Sequence, residues 1–74
     1  MNLKVIGSNQ TEVQVGLTKI LFSYNTPVAA MMDDGSYIRT DKQWSRTTSK
    51  HINAWLNGAT AKSVEQSILD SLAQ

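Results

Sequence analysis

At 74 residues the chain has room for one small domain, residues 1–74, and with no cysteine and one histidine it lacks both disulfides and the ligands of an ordinary structural zinc site. Seven Lys and Arg against six Asp and Glu leave a formal net charge of +1, which argues against a histone-like or DNA-mimicking molecule, while 41% hydrophobic content is enough to build a core. No apolar run approaches the roughly 20 residues of a membrane span, and the first residues form no signal peptide, so a cytoplasmic protein without membrane contact is expected.

The first forty residues read as short strands separated by turns. Leu3–Ile6 ends at the turn-forming run Gly7-Ser8-Asn9-Gln10, and Thr11–Val15 then alternates polar and apolar residues, which predicts a hairpin with Val13 and Val15 facing the core. After Gly16, the strand from Leu17 to Tyr24 carries Ile20, Phe22 and Tyr24 on one face and Lys19, Leu21 and Ser23 on the other. Being apolar on part of both faces, it is expected to lie centrally. Asn25-Thr26-Pro27 marks a turn or kink before the strand Val28–Met32, and Asp34-Gly35 is a tight-turn dipeptide leading to the returning strand Tyr37–Thr40.

Beyond Asp41 the period changes. Ile52, Trp55 and Leu56 form a helical stripe in a helix near Thr48–Asn57, with Gly58 as its stop and Ser45, Thr47 and Thr48 as candidate caps. A second helix is predicted from about Ser63 to Ala73, where Ser63–Gln66 has capping-box spacing and Val64, Ile68, Leu69 and Leu72 share a face. Strands first and helices last predict an α+β fold: an antiparallel sheet of four or five strands followed by two C-terminal helices packed on one face. The expected core is Leu3, Val5, Val13, Val15, Ile20, Phe22, Val28, Ile52, Trp55, Leu56, Ile68 and Leu72.

Catalytic equipment is sparse. His51 is the one base of near-neutral pKa, and beside the helix stripe it reads as a rim histidine packed on indole and bonded to backbone rather than as a general base. Asp33 and Asp34 are adjacent carboxylates, but directly before Gly35 they read as turn residues. Gly7–Gln10 lacks the lysine and glycine spacing of a phosphate loop. A non-enzymatic protein without cofactor or metal is therefore expected.

The segment from Arg39 to His51 is more informative. It sets Arg39, Lys42, Arg46 and Lys50 against the single acid Asp41 and interleaves Trp44 with hydroxyl residues including Thr48. Cations, hydroxyls and an aromatic near a helix start are groups that contact phosphate and sugar, and Lys50 in an early helical turn is poorly placed against the helix dipole unless an anion docks there. The alternative is that the hydroxyls cap the helix, the cations are solvated and Trp44 closes the core edge. Arg39, Lys42, Trp44, Arg46, Thr48 and Lys50 are thus the candidate nucleic-acid-binding residues.

Phe22-Ser23-Tyr24-Asn25-Thr26-Pro27-Val28-Ala29 and Trp44-Ser45-Arg46-Thr47-Thr48-Ser49-Lys50-His51-Ile52 resemble a family of short, functionally uncharacterised proteins often encoded by tailed bacteriophages. The resemblance covers about half the chain, from Thr18 to Leu56. It implies an accessory protein of the host cytoplasm and carries over no site residues. Two readings follow: contact with nucleic acid through residues 39–51, or contact with (and inhibition of) a host protein through a sheet edge or a Trp44-centred patch. A homodimer is one way to cover the sheet edges.

Overall fold

The computed structural model describes residues 2–7 and 9–73. Five strands, β1 (Asn2–Gly7), β2 (Gln10–Val15), β3 (Thr18–Ser23), β4 (Thr26–Met31) and β5 (Tyr37–Thr40), precede helix α1 (Arg46–Leu56). A sixth strand, β6 (Ala61–Val64), and helix α2 (Gln66–Leu72) complete the chain. The strands lie in sequence order, β1 to β5 pairing antiparallel and β6 pairing parallel with β5. The fold is α+β as expected, but the sheet is mixed and has six strands.

The extra strand takes Ala61 and Lys62 together with Ser63 and Val64, the first residues of the second helix expected from sequence. Ser63 lies in β6 rather than capping a helix, and α2 begins after Glu65, which makes no side-chain cap. Four residues are too few to display a period, and Ala61–Val64 becomes a strand because α1 carries the chain back along the free edge of β5. There Asp41 N–H donates to the Val64 carbonyl at 2.8 Å, extending the contact just past the end of β5. The result is a β5–α1–β6 crossover unit appended to an antiparallel meander.

The helices cover opposite faces, not one. Adjacent strand residues point to opposite sides, and β3 and β4 place apolar side chains on both. Leu21, Val28 and Ala29 pack with Ile52 and Leu56 of α1, whereas Ile20 and Ala30 pack with Leu69 of α2. A sheet apolar on both faces needs two covers, and one helix goes to each. The register shift between Leu21 and Phe22 sets the two consecutive residues Val28 and Ala29 against the α1-side core, and this irregularity also accommodates Pro27 inside a central strand.

Local turn chemistry follows the sequence. Gly16 takes φ 63 in the connection joining β2 to β3, and Asn9 takes φ 60 after β1. Ser8 of the predicted first turn lies outside the described residues. Helix α1 is capped by Ser45, whose side chain accepts from Thr48 N–H at 3.2 Å, and it ends with Asn57 in the left-handed region followed by Gly58 at φ 86.

Of the expected core, Ile20, Val28, Ile52 and Leu56 are buried. Val13, Phe22, Trp55 and Leu72 are half-buried, and Trp55 stands edge-on to Tyr37 at 5.8 Å while its Nε1–H donates to Glu12 Oε1 at 2.9 Å. Leu3, Val5, Val15 and Ile68 are exposed, at 65%, 71%, 48% and 46%. For β1 and β2 the reason is positional: α2 packs on β4 and β5 and does not reach the first two strands. The buried places fall instead to Leu21, Ala29, Ala30 and Leu69.

Candidate functional site

A five-residue connection, residues 41–45, joins β5 to α1 and is held at both ends. Buried Thr40 accepts from Lys42 N–H through Oγ1 at 3.1 Å, turning the chain off the sheet, and Ser45 then receives the first turn of α1. Between these points Trp44 anchors the loop. Its ring packs half-buried against the α1-side core, and its Nε1–H donates to Gln66 Oε1 at 3.3 Å. Gln66 in turn donates to the Pro27 carbonyl at 2.7 Å, tying the loop to β4 and the start of α2.

An open cleft of about 460 Å³ lies at this connection, lined by Arg39, Lys42, Trp44, Ser49 and Ser63 among others. Arg39 reaches it from β5, with Nη1 donating to Asn53 Oδ1 at 3.4 Å, a long contact to a neutral amide. The Lys42 ammonium lies 4.3 Å from the centre of the Trp44 ring, a cation–π contact that fixes its position at the rim. Arg46 and Lys50 are exposed and four apart in α1, so they share a stripe beside Ser49 and Asn53, and the helix contains no acidic residue. Asp41 is the acid among the lining residues.

Of the six predicted residues, Arg39, Lys42 and Trp44 line the cleft, and Arg46 and Lys50 lie exposed on α1 beside it. Thr48 is not among them. It is buried beneath the helix, where Ser23 Oγ lies 3.1 Å from its Oγ1 and 2.8 Å from His51 Nδ1. His51 is buried too, beside the Tyr24 ring at 6.1 Å, so it contacts a strand hydroxyl and a tyrosine rather than backbone and indole. A hydroxyl beside an imidazole is the pairing of an activated nucleophile, and here both groups are buried between β3 and α1, Ser23 at 2% and His51 at 9% exposure.

The two carboxylates at Asp33 and Asp34 act as turn groups. Asp34 Oδ1 accepts from Ser36 N–H at 2.9 Å and from Ser36 Oγ at 2.6 Å, and these bonds hold its pKa below the usual aspartate value. Asp33 accepts from the Thr18 hydroxyl, linking the β4–β5 hairpin to β3. Among the described residues no three His, Asp or Glu side chains converge as metal ligands. Sequence reading missed Ser49 and Ser63 as cleft residues; Ser49 was visible among the hydroxyls of α1, but Ser63 enters only through β6.

Residues 1–71 match the model of a family of unknown function, DUF8033. The chain belongs to this family. No curated protein and no solved structure matches it. The described helices include none long and apolar enough to cross a membrane.

Proposed function

We propose that this DUF8033 chain is a non-catalytic binding module that contacts the phosphate backbone of a nucleic acid through the cleft at the β5–α1 connection. The observation that carries the reading is the convergence of Arg39 from β5, Lys42 from the connection and Ser49 from α1 on one open, polar cleft. Its place supports the same reading, because the carboxyl end of a strand entering a parallel crossover is where open α/β sheets bind ligands. Arg46 and Lys50 extend the positive surface along α1, and with no acid in that helix a backbone running across it meets cations and hydroxyls. Trp44 serves as the seat of Lys42 more than as a free stacking platform, since its ring is half-buried and carries the ammonium. The resemblance of residues 22–29 and 44–52 to phage-encoded proteins supports an accessory role in a host cytoplasm.

Fluorescence anisotropy with labelled single- and double-stranded oligonucleotides tests the proposal. Binding is expected at about 50 mM salt and should weaken steeply as salt rises, with Arg46→Ala and Lys50→Ala each reducing the salt slope by roughly one across unrelated sequences. Both residues are exposed, so circular dichroism should match wild type. Wild type that binds neither strand form at that salt removes the nucleic-acid reading and leaves a protein partner.

A further inference from the structure

We infer that the open face of β1–β3, on the side away from α1, is an interface between two copies of this chain. Strand register brings the face together: Leu3, Val13 and Ile20 are successive neighbours across β1, β2 and β3, and Val5, Thr11 and Phe22 form the adjoining row. The opposite face of the same strands carries Lys4, Glu12 and Lys19. Among the described residues, β1–β3 themselves place no charged side chain on the first face, and Asp33 of the β4–β5 turn meets it at the rim, at Thr18. This alternation is the pattern of a sheet with one face meant for burial. Yet Leu3 and Val5 are 65% and 71% exposed, because α2 reaches this side only as far as Ile20 and Phe22.

Charge and area favour a second copy as the occupant. Strands that contribute no charge to the centre of this face do not repel their own copies under a twofold operation, and an uncharged centre with a polar rim matches homodimer interfaces, which are more apolar than those between transient partners. Leu3, Val5 and Val15 of this face keep 65%, 71% and 48% of their surface open, and a standard-size homodimer interface takes roughly 500 Å² of apolar area per copy. A shallow hollow of about 260 Å³ between Leu3, Thr11, Val13, Phe22 and Tyr24 gives the face relief for interdigitation. A 74-residue chain without cysteine also belongs to the size class that gains most from association. Packed face to face, the two sheets bury Leu3, Val5 and Val13 of both copies.

Sedimentation velocity of the intact chain from roughly 1 to 200 µM provides the test, over a range that reaches weak homodimers. The expected result is a shift from 8.2 kDa to twice that mass within the range. Val5→Lys should raise the dissociation constant at least ~100-fold by placing two unpaired ammonium groups in the interface, with an unchanged circular dichroism spectrum. Lys4→Ser, on the opposite face of the same strand, should dimerise as wild type does. Isotope-filtered spectra should show contacts between copies from the Leu3 and Val13 methyl groups. The inference is overturned if wild type stays at 8.2 kDa throughout, whatever else binds the face. It is equally overturned if Lys4→Ser and Val5→Lys dissociate alike, or if the dimer lacks those methyl contacts. The residues differ from those of the basic cleft, so either idea can fail alone.

Discussion

Ser23, Thr48 and His51 form a buried polar contact between β3 and α1, in which Ser23 Oγ pairs with both Thr48 Oγ1 and His51 Nδ1. Satisfied in this way, the three fix how α1 sits on the sheet, since apolar contacts alone are non-directional. Ser23→Ala removes the shared hydroxyl and leaves His51 Nδ1 without that bond. The expected loss is about 1–3 kcal/mol, the cost of a buried polar group stripped of its partner, read as a lower urea midpoint with an unchanged slope. Ser23 was legible as a polar residue between Phe22 and Tyr24, but its histidine partner lies 28 residues downstream and no local pattern connects them.

At the scale of elements, the β4–β5 hairpin shows how a turn couples to pH. Asp34 accepts two hydrogen bonds from Ser36, which favour the charged carboxylate and lower its pKa in the folded chain. A depressed carboxylate binds its proton less tightly when folded than when unfolded. Its contribution is therefore present above the ordinary aspartate pKa of about 3.9 and is lost as pH falls through the lower, folded value. An NMR titration should show the Asp34 carboxylate titrating below a free aspartate, with the Ser36 amide shifting on the same curve. In Asp34→Asn that amide should no longer report such a step.

For the whole molecule, the consequence of placing the helices on opposite faces is a chain with two thin cores sharing β3 and β4. Leu69 is the one fully buried residue of α2, and it closes the second core against Ile20 and Ala30. Leu69→Ala should cost about 2–5 kcal/mol, because Ala30 opposite leaves little bulk to collapse into the gap. In a domain of this size each kcal/mol shifts the melting temperature by roughly 4–8 °C, so a fall of about 10 °C or more is expected in a thermal melt. Ile68→Ala, one residue earlier and 46% exposed, should shift it far less.

Sequence alone determined the properties carried by short-range pattern. The central place of β3 followed from Ile20 and Leu21 pointing to opposite faces, the hairpin turns from Gly16 and Asp34-Gly35, and the end of α1 from Asn57-Gly58, because each depends on neighbours within a few residues. The grouping of Arg39 with Lys42, Arg46 and Lys50 was legible too, since all four lie within twelve residues. Only the tertiary structure decided which apolar residues are covered. The alternation of Leu3, Val5, Val13 and Val15 marks a face suited to burial but cannot say whether a helix of the same chain reaches it, and α2 stops at β3. The strand at Ala61–Val64 and the burial of Thr48 have the same origin. Each depends on where α1 returns the chain along β5 and over β3, a long-range contact whose free energy is spread over both cores rather than written in any local run.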